Sequence, residues 1–198
     1  MELAALGPRP EKPLELYDYE TCPFCRRVRL AISMLDLEVV VYPCPRGGQR
    51  FRPVASERGG RAQFPFLCDP NTGVEMYESA DIVRYLIDQY GAGGLPGAPA
   101  TEPLACGLSR SLPSREPAAP LELFSFESSG QCSMVRDVLC AYELPYLVRS
   151  AAPASARRQE LRRRSGTDQV PYLIDPNTGT ELGGAAAINE YLESHYAG

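Results

Sequence analysis

The stretch "QFPFLCDPNTGVEMYESADIVRYL", residues 63 to 86, recurs as "QVPYLIDPNTGTELGGAAAINEYL" at residues 169 to 192. Upstream of each, "LELYDYETCPFC" at residues 14 to 25 recurs as "LELFSFESSGQC" at residues 121 to 132. The spacing of 106 or 107 residues between copies is far longer than the roughly 20 to 50 residues of a solenoid repeat. Each copy is therefore expected to be a complete small domain.

We place the first copy at residues 14 to 90 and the second at residues 121 to 197. The intervening residues 91 to 120 are rich in Gly, Pro, Ala and Ser and have no sustained apolar period. This composition is typical of a linker. Both a free linker and one packed against a domain are compatible with it.

The pattern of each copy predicts a strand, a helix, a strand, a helix, two strands and a final helix. The final helix is expected from about Ser79 to Tyr90 in the first copy and from about Ala185 to Tyr196 in the second. In the first copy a helix is expected to begin near Cys22, because Val28, Ile32 and Leu35 recur on one helical face. The arginine-bearing stretches 49 to 61 and 156 to 165 predict the second helix of each copy, and the identical "DPNTG" segments predict a hairpin turn. A parallel pair followed by a hairpin predicts an α/β fold with a mixed four-stranded sheet in each copy.

Composition narrows the class of protein. The chain has 198 residues, 44% of them apolar, and a formal net charge of −5, which gives no electrostatic reason to bind nucleic acid. No apolar run approaches the roughly 20 residues that span a bilayer. Seven cysteines at irregular spacing favour reduced thiols with a local redox pair over a secreted disulfide framework. The opening "MELAALGPRPEKP" does not have the pattern of a secretory signal, and an organelle-targeting segment outside this chain stays open.

The pair Cys22 and Cys25 carries the candidate chemistry. A cysteine at a helix N-terminus is stabilised as a thiolate by free backbone N–H groups and the helix dipole. Pro23 suits the first helical turn, and Arg26 and Arg27 are expected to add positive potential. Cys25, three residues on, could attack a mixed disulfide formed at Cys22.

The pair Cys22 and Cys25 has two other interpretations. A zinc site needs two more ligands, and the chain offers one histidine, His195, and no second C-x-x-C pair. The two cysteines could also be buried small residues without chemistry. The strand, C-P-F-C and helix context favours redox chemistry over both.

These motifs carry a resemblance. "TCPFC" after a strand, "FPF" before a hairpin and "ES" opening the last helix resemble the thioredoxin-like half of glutaredoxins and glutathione transferases. Two such modules in tandem resemble plant and algal chloroplast proteins with paired glutathione-transferase N-terminal domains, and more distantly the glutaredoxin-like part of prostaglandin E synthase type 2. The resemblance implies two thioredoxin-like modules and residence in the chloroplast stroma, with the cytoplasm as the alternative.

The resemblance also implies a glutathione site in the first copy. Cys22 would face the glutathione sulfur. Pro65 would be a cis-proline that presents the Phe64 backbone to the cysteinyl part, and Glu78 with Ser79 would receive the γ-glutamyl end. The glycine carboxylate would be held by one of two residues, Arg61 or Gln63.

The second copy departs from this pattern. Ser129 stands in place of Cys22, and Gly184 with Ala185 replaces Glu78 and Ser79. Glutathione is therefore expected to bind there poorly. Cys132, at the position of Cys25, is expected to be packed and not catalytic.

The function expected from the first copy is that of a glutathione-linked thiol-disulfide oxidoreductase, with Cys22 as nucleophile and either glutathione or Cys25 as the resolving thiol. Its partners would be glutathione as cosubstrate and protein or small-molecule disulfides, with no metal. The alternatives are a glutathione-dependent transferase or isomerase and a non-catalytic glutathione-binding or partner-binding scaffold. A glutathione-bridged iron–sulfur cluster is less favoured, because C-P-F-C favours redox use.

Overall fold

A computed structural model describes residues 2–93 and 110–198. The elements of the first copy are β1 (Leu14–Asp18), α1 (Pro23–Met34), β2 (Val39–Pro43), α2 (Phe51–Gly59), β3 (Phe66–Asp69), β4 (Val74–Met76) and α3 (Ser79–Tyr90). Those of the second are β5 (Leu121–Ser125), α4 (Gly130–Ala141), β6 (Tyr146–Ser150), α5 (Ala156–Ser165), β7 (Tyr172–Asp175), β8 (Thr180–Gly183) and α6 (Ala185–Tyr196). The element order is the same in both copies and is the order predicted from the sequence.

The strands form one continuous sheet. Within each copy the first two strands are parallel and the last two form the predicted hairpin. The copies then join through β2 and β6, which pair antiparallel with Val40 opposite Leu147. The resulting order is β4-β3-β1-β2-β6-β5-β7-β8. The predicted α/β class is confirmed, and the two four-stranded sheets are fused into eight strands.

The helices cover the two faces of the sheet unequally. One apolar core runs through both copies and includes Val28 of α1, Ile82 of α3, Val135 of α4 and Ile188 of α6. On the opposite face α2 and α5 each cover a separate smaller cluster, with Phe51 in the first and Leu161 in the second. The burial shared by four helices joins the copies into one folding unit.

The "DPNTG" turns are tied to the last helix of each copy. Asp69, in the first residues of this turn, accepts hydrogen bonds from the hydroxyl groups of Tyr85 and Tyr90. Asp175 accepts the equivalent bonds from Tyr191 and Tyr196. Burial opposes ionisation of Asp69, but these hydrogen bonds outweigh it and lower its pKa. Each turn is therefore held to the last helix of its own copy by the same pair of hydrogen bonds.

The residues that precede each first strand pack in equivalent ways. Gly7 donates its N–H to the carbonyl of Tyr90, and Arg115 donates to that of Tyr196. Of the expected linker, residues 110–120 thus contact the second copy, and residues 94–109 lie outside the described part of the chain.

No helix in the described part of the chain is long and apolar enough to cross a membrane.

Candidate functional site

Cys22 occupies the N-cap of α1, where the sequence placed it. Its sulfur accepts the backbone N–H of Cys25 at 3.2 Å, so one free N–H group of the first helical turn is satisfied by the thiol. The pKa of Cys22 is lowered to about 7, first by a hydrogen bond from the Cys25 side chain and then by the Cys25 N–H and the Tyr19 side chain. Near neutral pH about half of this thiol is thiolate.

The cause of this shift corrects one expectation. Arg26 and Arg27 are not among the principal groups acting on the thiol. Arg26 instead points toward the second copy, with its Nε 3.6 Å from the Glu127 carboxylate. Hydrogen bonds from Cys25 and Tyr19, and not the charges of the two arginines, lower the pKa of Cys22.

Cys25 has the opposite character. Its side chain is fully buried, and burial together with the hydrogen bond to Cys22 raises its pKa well above the usual range. At neutral pH it is a protonated donor to Cys22. The lowered pKa of Cys22 and the raised pKa of Cys25 give the two thiols different protonation states near neutral pH, with Cys25 as the hydrogen-bond donor.

A cavity of about 410 Å³ lies beside this pair. Its lining includes five residues that the resemblance implied for glutathione, namely Gln63, Phe64, Pro65, Glu78 and Ser79. The other lining residues are Tyr19, Phe24, Arg52 and Ala62. Five parts of the first copy thus meet at one place: the loop after β1, the start of α1, helix α2, the loop before β3 and the start of α3.

Three candidate residues do not line this cavity: Cys22, Cys25 and Arg61. Cys22 is only 1% exposed and adjoins the cavity through Tyr19, whose side chain lines the cavity and hydrogen-bonds the thiol. Arg61 lies with its guanidinium carbon 4.6 Å from the centre of the Tyr77 ring. Access to the sulfur therefore requires the cavity wall to move.

Arg52 supplies the cavity with a positive charge that sequence reasoning missed. Its Nε donates to the carbonyls of Cys44 and Pro45, at 3.0 and 2.6 Å. Its guanidinium carbon lies 4.8 Å from the centre of the Phe64 ring, a cation–π contact. Both described hydrogen bonds leave from Nε, so the Nη groups stay available to a carboxylate. The guanidinium carbon of Arg52 also lies 5.8 Å from the centre of the Tyr19 ring. Arg158 makes the equivalent contact in the second copy, 5.5 Å from the centre of the Phe126 ring, and the alignment of the two arginines was the available sequence signal.

Tyr19 is the second residue that was missed. It stands three positions before Cys22, and the matching position in the second copy is Phe126. The second copy has therefore lost the hydroxyl together with the cysteine. This paired loss was visible in the aligned sequences.

The start of α3 has an unusual backbone. Glu78 adopts φ 68° and ψ 105°, a region that costs a non-glycine residue about 1 to 3 kcal/mol. Its carboxylate accepts a hydrogen bond from the Gln63 side chain at 2.7 Å, which joins two candidate residues. At the matching place Gly184 adopts φ 90°, where glycine is unstrained. The first copy thus keeps a strained acidic residue at the cavity.

The Phe64–Pro65 peptide bond is cis, as the resemblance implied, and so is the Val170–Pro171 bond at the matching place in the second copy. In the second copy Ser129 caps α4 as Cys22 caps α1, accepting the Cys132 N–H at 3.3 Å. Cys132 is fully buried, as expected for a packed residue.

Within residues 2–93 and 110–198, no three His, Cys, Asp or Glu side chains are grouped so that they could hold a metal ion.

The solved structures to which this chain is similar include glutathione transferases. A glutathione transferase of Bombyx mori is 25% identical over 43% of this chain and 39% of its own, with a TM-score of 0.39. The same enzyme in complex with the ligand GTT matches at 26% identity over 43% and 39%, with a TM-score of 0.39. A delta-class glutathione transferase of Nilaparvata lugens is 29% identical over 41% of this chain and 38% of its own, with a TM-score of 0.37. The match thus spans about two fifths of the length of these enzymes, and no curated protein matches the chain.

A family comparison covers most of the chain. The model of the glutathione S-transferase N-terminal domain matches twice, at residues 16–97 and at residues 123–198. Each match contains the strand, helix and cis-proline hairpin described above. The chain therefore belongs to the glutathione S-transferase N-terminal domain family, with one copy of that domain in each half.

Proposed function

We propose that the first copy is a glutathione-linked thiol-disulfide oxidoreductase with Cys22 as its nucleophile. The observation that carries the proposal is a thiol with its pKa lowered to about 7, next to a cavity lined by Gln63, Phe64, Glu78 and Ser79. A thiol with its pKa near ambient pH combines a useful thiolate fraction with high nucleophilicity.

Charge complementarity supports glutathione as the cosubstrate. The start of α3, with Ser79 buried in the cavity wall, suits the γ-glutamyl carboxylate because helix N-termini bind anions. The Glu78 carboxylate suits the γ-glutamyl ammonium group. Arg52 lines the same cavity and suits the glycine carboxylate. The resemblance had implied Arg61 or Gln63 for this role.

The reaction proposed is a pair of thiol-disulfide exchanges. The Cys22 thiolate attacks the glutathione sulfur of a mixed disulfide, forming a Cys22–glutathione disulfide and releasing the other sulfur as a thiolate that takes a proton from water. The thiolate of a second glutathione then attacks the glutathione sulfur held on Cys22. This step gives glutathione disulfide and restores the Cys22 thiolate.

We assign the resolving step to glutathione and not to Cys25. Cys25 is fully buried and its pKa is raised well above the usual range, so it contributes little thiolate. Its role in this proposal is to donate a hydrogen bond to the Cys22 thiolate.

Glutathione transfer is the second candidate, favoured by the family match over both copies. The same thiol and cavity would then hold glutathione for attack on an electrophile. Two assays separate the activities: an oxidoreductase reduces a glutathione mixed disulfide, and a transferase conjugates glutathione to chlorodinitrobenzene. By resemblance we place the protein in the chloroplast stroma, among proteins with paired domains of this family.

Glutathione binding tests which copy holds the site. Replacing Ser79 by proline removes the first backbone N–H of α3 from the cavity, and we expect glutathione affinity to fall about 5- to 150-fold, the equivalent of about 1 to 3 kcal/mol for a lost polar partner. Proline is tolerated at the first helical position, so the fold should persist. Titration calorimetry of the full chain measures the change.

The matched control is Ala185→Pro at the start of α6, which should leave glutathione affinity within about twofold. Equal losses in the two variants, or a loss confined to Ala185→Pro, would place the site elsewhere.

Because the Glu78 backbone is strained, we expect a glycine at this position to increase stability and to decrease glutathione affinity. Glu78→Gly should raise the free energy of unfolding by about 1 kcal/mol, because glycine adopts positive φ without strain. It should also weaken glutathione binding by removing the carboxylate. Urea denaturation and calorimetry give the two quantities, and Gly184→Glu should destabilise the protein without affecting binding. A less stable Glu78→Gly variant would show that the conformation is not strained.

A further inference from the structure

Four buried charged side chains lie where the two copies meet, and we call them the interface quartet: Glu20, Arg29, Glu127 and Arg136. Each side chain is 3 to 6% exposed. Each arginine binds the glutamate of the other copy through two nitrogens. Arg29 donates to both Glu127 oxygens at 3.0 and 3.2 Å, and Arg136 donates to both Glu20 oxygens at 2.9 Å. Such fork-to-carboxylate pairs fix orientation as well as distance.

Arg29 continues this contact into the loop that carries Cys22. Its Nη1 donates to the Asp18 carboxylate at 2.6 Å and to the Tyr19 carbonyl at 3.4 Å, and its Nη2 donates to the Glu20 carbonyl at 2.9 Å. The same Tyr19 carbonyl accepts the N–H of Cys22 at 3.1 Å. An unbroken series of hydrogen bonds thus runs from Glu127, in the second copy, to the Cys22 backbone.

The second copy also contacts α1 at a second point. The backbone N–H of Glu127 donates to the Ser33 hydroxyl at 3.1 Å, at a buried position. Glu127 therefore binds α1 through both its main chain and its side chain, which leaves Arg29 little freedom to shift along the helix.

We infer that Glu127 is a positioning residue for Cys22: by holding Arg29, it fixes the turn from Asp18 to Cys22 and keeps the thiol in reach of its two hydrogen-bond donors. This inference rests on the function proposed for the first copy. It also gives the second copy a role in the reaction although Ser129 replaces its cysteine.

The mirror half of the quartet provides an internal comparison. Arg136 donates to the Ser125 hydroxyl at 3.2 Å and to the Phe126 carbonyl at 3.5 Å, and that carbonyl accepts the N–H of Ser129. The same arrangement of hydrogen bonds therefore holds the turn before Ser129, which is the serine at the place of Cys22. Glu20 supports that turn through two hydrogen bonds, as Glu127 supports the turn before Cys22. Each glutamate also has one contact with the arginine of its own copy, Glu20 with Arg29 at 3.3 Å and Glu127 with Arg136 at 3.0 Å.

The charges around the thiol indicate which kind of variant to use. The groups facing Cys22 are Cys25 and Tyr19, which lower its pKa, and Asp18, which raises it; Arg29 faces Cys25 and lowers the pKa of that thiol. Removing the Glu127 charge would leave the charge of Arg29 less compensated, which by itself favours the Cys22 thiolate and would lower the pKa of Cys22. A shift of Cys22 away from its two hydrogen-bond donors, Cys25 and Tyr19, would instead raise the pKa of Cys22. A charge-conserving variant separates the two effects.

The test compares Glu127→Asp with Glu20→Asp in the full chain. Aspartate keeps the charge but is one methylene shorter, so it cannot keep both hydrogen bonds to its arginine without moving that arginine. Iodoacetamide labelling between pH 5 and pH 9, with the modified cysteine identified by mass spectrometry, gives the midpoint of Cys22 reactivity. Thermal unfolding of the same samples reports stability.

We expect both variants to lose similar thermal stability and only Glu127→Asp to raise the Cys22 midpoint, by about half a unit to one unit, which is about three- to tenfold less thiolate at pH 6. Equal midpoints in the two variants, an unchanged midpoint in Glu127→Asp, or a lowered one would each overturn the inference. If Glu127→Asp does not fold, Arg29→Lys against Arg136→Lys makes the same comparison at constant charge.

Wild-type protein separates this inference from the proposed function. Turnover of a glutathione mixed disulfide by wild type, together with an unchanged midpoint in Glu127→Asp, removes only the positioning role. A wild-type protein without turnover removes the proposed function itself, whatever the midpoints of the variants.

Discussion

Replacing Cys22 by serine should reduce turnover of a glutathione mixed disulfide to the rate of the uncatalysed exchange. A serine hydroxyl can keep the N-cap hydrogen bond, as Ser129 does in the second copy, but it cannot form the intermediate disulfide. The fold should therefore survive while the reaction is lost. Oxidation of NADPH coupled through glutathione reductase, with hydroxyethyl disulfide and glutathione as substrates, measures the rate.

The wild-type rate should rise with pH and reach half of its plateau near pH 7, because the thiolate forms as pH rises through the lowered pKa of about 7. At pH 6 about a tenth of the plateau rate remains. A half-point above pH 8.5, the range of an ordinary thiol, would contradict the assigned nucleophile.

Two control variants accompany Cys22→Ser. Cys25→Ser keeps a hydroxyl donor toward Cys22, and most of the activity should persist if glutathione resolves the intermediate. Ser129→Cys added to Cys22→Ser should restore nothing, because the second copy does not have the Glu78 and Ser79 pair. Recovery of turnover in that double variant would mean that the second copy also binds glutathione productively.

The largest loss of stability is expected for Arg29→Met. Arg29 is the described hydrogen-bonding partner of the Asp18 carboxylate and also binds Glu127 through two nitrogens. Removing one member of a buried ion pair leaves an uncompensated charge, and we expect about 3 to 5 kcal/mol to be lost from the free energy of unfolding. Urea denaturation monitored by circular dichroism measures it.

Arg136→Met is the matched control and should cost less. The residue at the place of Asp18 is Ser125, so no second carboxylate loses its partner. In either variant the glutamate keeps one contact with the remaining arginine, Glu20 with Arg29 at 3.3 Å or Glu127 with Arg136 at 3.0 Å. Equal losses in the two variants would show that Asp18 does not depend on Arg29.

The loss in Arg29→Met should also depend on pH. Burial raises the pKa of Asp18 even when Arg29 opposes the shift, and without Arg29 it rises further. The folded state then keeps a proton that the unfolded state releases above about pH 4, so stability falls as pH rises toward the folded pKa. The variant should therefore be closer to wild type at pH 5 than at pH 8.

The extent of the helices followed mainly from local signals. The last helices, Ser79–Tyr90 and Ala185–Tyr196, begin and end at the residues predicted, because apolar spacing decides which residues face the core. The second helix of the first copy was predicted over residues 49 to 61 and spans Phe51–Gly59. It ends there because Gly60 adopts a left-handed conformation at φ 76°, a common helix C-cap.

The site was predictable where it depends on aligned positions. Five of the candidate residues line one cavity, because the loop before β3 and the start of α3 are brought together by a hairpin whose register the repeat made visible. Arg52 was not foreseen although it aligns with Arg158, because its approach to Phe64 depends on how α2 packs, and no local pattern encodes that packing. Burial of Cys22 was equally invisible, because exposure is set by neighbours distant in sequence.

The sequence alone determined that the chain contains two copies of one α/β domain and that the first copy retains the C-P-F-C pair, because repeats, apolar spacing and turn residues are local properties. Only the tertiary structure decided that β2 pairs with β6 and that Glu127 holds Arg29. These contacts join residues about 100 positions apart, and their free energy comes from burying one shared core and pairing charges within it. Neither term can be read from either copy by itself.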